Sequence, residues 1–288
     1  MSSQADRITA PLAQDPFHRF CADAPANGPI PALRPILIVL HQETSSPGRV
    51  GNALRQMGYP LDIRRPRFGD PLPRTLDGHA GAVVFGGPMS ANDDEDYVHR
   101  EIDWLATPLR ENRPFLGICL GAQMLARQLG ARVAPHPQGR VEVGYYAIRP
   151  TTAGRALCSD WPEHVYHWHR EGFDLPHGCE LLAEGNDFPV QAFRSGTCFG
   201  VQFHPDVTYA MMNRWTTRGC ERMDAPGARC RDDHFALRAV HDVTERAWLN
   251  AFLRHWLRPN DPAHHDAVAR MSSEADVGAP APLLTAAE

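Results

Sequence analysis

The central part of the chain alternates short, wholly apolar runs with longer stretches in which apolar positions recur every three or four residues. Residues 35–40 (PILIVL) read as a strand buried on both faces. Residues 47–58 carry Val50, Leu54 and Met57 at helical spacing, and Gly58 is placed to stop that helix. Leu61–Arg64 reads as a short strand. Residues 81–85 (GAVVF) read as a third buried strand, halted by Gly86, Gly87 and Pro88. A helix is predicted over about 94–112, with Val98, Ile102 and Leu105 on one face, capped by the acids at 93–96. Residues 114–118 (PFLGI) form another strand that passes through Cys119 into a helix over 120–129. Continuous apolar strands separated by helices imply an α/β fold with a mostly parallel sheet covered on both faces.

After Arg132 the pattern changes. Residues 141–148, 165–168, 180–183, 190–194 and 199–203 read as strand pieces broken by turns, with no long helix between them. This half is expected to add antiparallel pairs to one side of the sheet. Helices over about 207–222 and 234–257 close the fold, with Leu237, Val240, Ala247, Phe252 and Trp256 as expected core contacts of the second. Residues 1–34 and 258–288 are rich in Ala, Pro and polar groups without a period. They read as a loose leader and a loose tail around a globular part at 35–257.

Composition narrows the class. Of 288 residues, 43% are hydrophobic and 22% charged, as in ordinary folded proteins and unlike disordered or collagen-like chains. The net charge of −5 and the lack of a basic cluster give no phosphate footprint, so no nucleic-acid partner is expected. The longest aliphatic run, 36–40, falls far short of the roughly 20 residues that cross a bilayer, so no membrane partner is expected either. The N-terminal segment lacks the apolar core of a signal peptide. Seven cysteines with no CxxC pair argue against a disulfide framework and point to a reducing cytoplasm. All 29 Lys-plus-Arg positions are arginine, which excludes Schiff-base or pyridoxal-phosphate chemistry on a lysine and any P-loop ending GK[ST].

The strongest chemical signal is residues 117–121 (GICLG). A strand runs straight into a helix, with Cys119 at the corner and glycine two residues to each side, as in a nucleophile elbow. That corner lies at the carboxyl end of a strand and at a helix N-terminus, where a thiolate is favoured. A thiolate needs a base, and residues 201–206 (VQFHPD) end an apolar strand with His204 and Asp206 two residues apart. In extended chain these two share a side, so the carboxylate can orient the imidazole. Gly86, Gly87 and Pro88 follow a buried strand and let backbone approach a ligand. The amides of Gly87 and Leu120 together would make a two-donor oxyanion hole. Gln123 lies one helical turn after Cys119, on the same face, within reach of a substrate. His167 and His169 alternate like a metal pair, but spacing supplies no third ligand, so neither a metal nor another cofactor is expected. His41, His79 and His99 have no recognisable partner.

Taken in order, GGP at 86–88, GICLGAQ at 117–123 and FHPD at 203–206 resemble the class I (triad) glutamine amidotransferase family over about residues 36–257. PFLGICLGAQMLARQLGA at 114–131 is the most specific stretch. GGPMSANDD at 86–94, VEVGYYAI at 141–148 and HWHREGFDLPHGCELLAEGNDFPVQAF at 167–193 resemble its stand-alone branch, similar to the amidotransferase domain of GMP synthase. The resemblance implies flavodoxin-like layers with an added antiparallel portion. It implies a nucleophile at Cys119, a base at His204 and an acid at Asp206. Further implied are oxyanion donors at Gly87 and Leu120, and substrate contacts at Gln123, Gly86, Trp168 and His169. The chain departs from the family in having Asp206 where glutamate is usual, a loss of roughly 1.3–1.5 Å of reach.

Three readings remain open: a glutaminase feeding ammonia to a separate synthetase subunit, an independent hydrolase of γ-glutamyl amides or peptides, and a non-catalytic, ligand-binding relic of the fold. In the first two, a cysteine thioester forms at the γ-carbonyl of glutamine or a γ-glutamyl compound. A general cysteine peptidase is a rival that the GGP and HPD motifs disfavour.

Overall fold

The computed structural model describes residues 33–257. Nearly all of the expected leader and the whole of the expected tail lie outside these residues. The first half alternates strand and helix as the pattern predicts: β1 (Ile36–Val39), α1 (Gly48–Gln56), β2 (Leu61–Arg64), β3 (Gly81–Val84), α2 (Asp96–Trp104), α3 (Ala106–Glu111), β4 (Phe115–Ile118) and α4 (Leu120–Gln128). The long helix predicted over 94–112 is split in two. Pro108 has no amide hydrogen to give the carbonyl four residues back, at Trp104, where α2 stops.

The second half contains β5 (Val133–Pro135), β6 (Glu142–Ala147), β7 (Arg149–Pro150), α5 (Thr152–Leu157), β8 (His164–His169), β9 (Glu171–Phe173), β10 (Glu180–Glu184), β11 (Val190–Ser195) and β12 (Cys198–Val201). α6 (Tyr209–Arg218), a 3₁₀ stretch at Cys220–Asp224 and α7 (Arg231–Leu257) complete it. The short α5, capped by the Thr151 hydroxyl accepting from the Gly154 amide, and the brief β5, β7 and β9 are too small to leave a period in the sequence.

The main sheet has eight strands in the order β2-β1-β3-β4-β12-β11-β10-β7. The five from β2 to β12 are mutually parallel, and β11, β10 and β7 extend them antiparallel. Two antiparallel ribbons, β5-β9 and β6-β8, stand apart from it. This is the expected mostly parallel sheet flanked by helices, with the antiparallel portion on one side. Alternate residues of β1 enter opposite layers: Ile36 and Ile38 pack with Trp248, Phe252 and Trp256 of α7, whereas Leu37 and Val39 pack with the layer of α2 and α4. Phe252 and Trp256 are core residues of α7 as expected, but Val240 and Ala247 are exposed. The expected Leu237 is partly buried and packs with Phe235 against a cluster that includes Tyr166 and Met212, while the buried positions of α7 before Trp248 are polar, His234 and Glu245. Among the described residues no helix is long and apolar enough to cross a membrane.

Candidate active site

β3, β4 and β12 are neighbours and parallel, with Gly117 paired to Val84 on one side and Gly200 on the other. Their carboxyl ends therefore emerge at one edge, and three motifs far apart in sequence meet there. Cys119 has φ +51° and ψ −104°, a strained conformation for a residue other than glycine. Its amide donates to the Val201 carbonyl at 2.8 Å, tying the corner to β12. The flanking glycines are required by space. A Cβ on Gly117 would come within 2.5 Å of the Gly121 backbone, and one on Gly121 would strike the Val84 carbonyl.

His204 follows β12, its amide donating to the Tyr166 carbonyl at 2.7 Å. Its Nδ1 donates to Asp206 Oδ1 at 3.2 Å. The shorter acid therefore reaches the imidazole. Its backbone is held by α1, where the Arg49 amide donates to the Asp206 carbonyl at 2.8 Å. A Cβ on Gly86 would lie 3.4 Å from His204 Nε2 and 3.5 Å from Cys119 Cβ, so the far side of the ring and the cysteine share one small space. Burial opposes charge on His204, but the Cys119 sulfur and the Asp206 carboxylate outweigh it and hold the pKa well above the ordinary histidine value. The arrangement can carry a thiolate–imidazolium pair.

Gly87 packs against Leu120: a Cβ on it would be 3.0 Å from Leu120 Cδ2. Neither amide donates a hydrogen bond among the described residues. His41, for which the sequence offered no partner, lies directly behind this loop. Its Nδ1 donates to the Gly86 carbonyl at 3.2 Å and its Nε2 pairs with Glu101 at 2.8 Å, with both side chains buried. The carbonyl and amide of a trans peptide point opposite ways, so anchoring the Gly86 oxygen turns the Gly87 N–H away from His41. His79 and His99 likewise have partners, Asp62 and Asp94, both at 3.0 Å.

A cleft of about 250 Å³ opens from His204, Gly86 and Gly87, walled by Trp168 and Trp215. Trp168 sits where the resemblance implied, but His169, its strand neighbour, points the other way and is absent from the cleft lining. It instead joins a buried cluster on the β6-β8 ribbon. There Glu142 Oε2 accepts from His169 Nε2 at 2.9 Å and Gln191 Nε2 at 2.9 Å, with His167 Nδ1 at 3.4 Å. Glu142 pairs with His169 in the ribbon register, a proximity that sequence spacing could not supply. The ligand atoms of Glu142, His167 and His169 lie within 4.8 Å of one another, close enough to share a cation. Gln123 is buried and uses its amide group internally, donating to the Glu171 carbonyl at 2.9 Å.

The site thus joins a strained cysteine elbow, a His-Asp pair just past the adjacent strand and a glycine-rich loop opposite, all at one edge of an α/β sheet. Residues 47–216 match the family model described as glutamine amidotransferase class-I, and the chain belongs to that family. It is 29% identical to the glutamine amidotransferase-like protein YfeJ of Salmonella typhimurium over 221 residues, 73% of this chain and 88% of that one. It is 34% identical to the GMP synthase [glutamine-hydrolyzing] of Marinobacter nauticus over 153 residues, covering 46% of this chain and only 27% of that enzyme. The structure is similar to a glutamine amidotransferase of Thermotoga maritima, with TM-score 0.70 and 27% identity, covering 79% of this chain and 99% of the other. The chain is thus a class I glutamine amidotransferase family member, similar to YfeJ and to the amidotransferase portion of GMP synthase.

Proposed function

We propose that this protein hydrolyses the γ-amide of glutamine or of a γ-glutamyl compound through a thioester on Cys119. The observation that carries this reading is the placement of His204 against both the strained Cys119 corner and Asp206. In the first step the Cys119 sulfur attacks the substrate carbonyl carbon and the carbonyl electrons move to oxygen. The Gly87 and Leu120 amides receive that oxyanion, each contributing about 3–4 kcal/mol of transition-state stabilisation. His204 gives its proton to the departing nitrogen as the C–N bond breaks, releasing ammonia or an amine. The now neutral His204 takes a proton from water, which attacks the thioester. Glutamate leaves and the sulfur is restored. Asp206 stabilises the imidazolium in both halves.

The test is stoichiometric labelling of the full chain with an electrophilic glutamine analogue, followed by peptide mass spectrometry and an assay of ammonia released from glutamine. The expected result is one label per chain, on Cys119. A label on another cysteine, or none, overturns the reading.

A further inference from the structure

The cleft runs from the buried His204 past the two tryptophans to Arg214, Arg218 and Arg222. Arg214 and Arg218 are one turn apart on α6, and Arg222 follows in the 3₁₀ stretch. Among the described residues, none of these three guanidinium groups makes a hydrogen bond or an ion pair. Other arginines are paired, Arg113 with Asp77, Arg140 with Asp187 and Arg194 with Glu180, and those without a partner among the described residues, such as Arg100 and Arg170, do not line the cleft. The acids of the cleft are Asp206, already committed to His204, and the exposed Glu221. One wall therefore presents three cations without partners among the described residues, in a protein whose net charge is −5. The two tryptophans form a low-dielectric border that strengthens its field.

Free glutamine is a zwitterion, with one carboxylate and one ammonium, and its leaving group is uncharged ammonia. Three arginines exceed what such a substrate can use. We propose that the cleft takes a γ-glutamyl amide whose leaving amine itself bears a carboxylate, with Arg214, Arg218 and Arg222 as its anion-binding wall. This deepens, and rests on, the Cys119 chemistry above. Guanidinium forks match carboxylates in paired hydrogen bonds, and a cleft of about 250 Å³ suits a dipeptide-sized molecule. The balanced reaction consumes one water. The amide C–N bond breaks, His204 protonates the nitrogen, and an amino acid departs along the arginine wall, leaving glutamate after thioester hydrolysis.

The experiment compares γ-glutamylglycine with γ-glutamylglycinamide, which differ only in the terminal carboxylate. Glycinamide is the better leaving group, so chemistry alone favours the neutral compound. The inference expects kcat/KM to favour the carboxylate by at least about tenfold at low salt, with the ratio shrinking as salt screens the wall. In Arg214→Gln/Arg222→Gln and in Arg218→Gln the ratio falls toward one. An equal or reversed ratio in the unmodified protein, or no turnover of either compound while the electrophilic analogue still labels Cys119, overturns the anion wall and leaves the thioester chemistry standing. Failure of labelling together with absence of turnover overturns both.

Discussion

His204 and His167 are both almost wholly buried and both face a carboxylate, yet they are driven to opposite charge states. For His167, burial dominates and pushes the pKa down to about 3, because the attraction of Glu142 is offset by repulsion from His169 and His204. Glu142 also accepts hydrogen bonds from His169 and Gln191, leaving His167 farther off at 3.4 Å. For His204, burial works in the same direction but loses to two negative neighbours, the Cys119 sulfur and the Asp206 carboxylate. A buried histidine beside an acid is therefore not by itself a base. It becomes a charged partner when the acid is its own and the cysteine sulfur sits on its other side.

The largest effect should come from removing that sulfur. Cys119→Ala is expected to lower kcat by at least about 10⁴-fold, measured as ammonia or amine release, with folding checked by circular dichroism. Next comes the private acid. Asp206→Asn should cost about a hundredfold and move the alkaline limb of the pH–rate profile to lower pH, because the carboxylate raises the His204 pKa. An unmoved limb would show that Asp206 acts by position alone. Asp206→Glu should also slow turnover, by about tenfold, since the existing acid already reaches Nδ1 and its backbone is fixed by the Arg49 amide.

On the other side of the comparison, effects should be on stability. Glu142 is buried, but the neighbouring His167 and His169 rings and its hydrogen bonds to His169 and Gln191 hold its pKa down to about 2. A carboxyl depressed in the folded state adds stability above its ordinary pKa, and that stability is lost as pH falls toward 2. Glu142→Gln should thus destabilise by about 3 kcal/mol at pH 7, and by less at pH 4, in denaturant titrations. Glu245 has the opposite sign: burial raises its pKa to about 7. Its protonated form suits the fold, so its contribution is full below the ordinary carboxylate pKa and lost as pH rises through 7. Glu245→Gln is expected to raise stability by about 3 kcal/mol at pH 8 and to change little at pH 4.

Much of this architecture was legible because strands buried on both faces leave unbroken apolar runs. β1, β3 and β4 fall within one residue of their predicted bounds. The elbow was legible because its glycines are demanded by contacts within one short segment and its neighbouring strand. What escaped has physical reasons too. α7 hides polar residues on its inner face, so its apolar pattern misplaced Val240 and Ala247. His169 alternates with Trp168 along β8, and which of the two faces the cleft depends on what covers each side of the ribbon.

The sequence by itself determined the local pieces: a cysteine at a strand-to-helix corner, a histidine and an acid two residues apart, and a glycine pair after a strand. Each depends only on chain geometry over a few residues. Tertiary structure decided that β12, more than 80 positions after β4 begins, lies parallel beside it and brings His204 to Cys119. It also set Glu142 opposite His169 and His41 beneath the glycine loop. Such meetings are made by packing and strand pairing between distant segments, and no period or spacing along the chain encodes them.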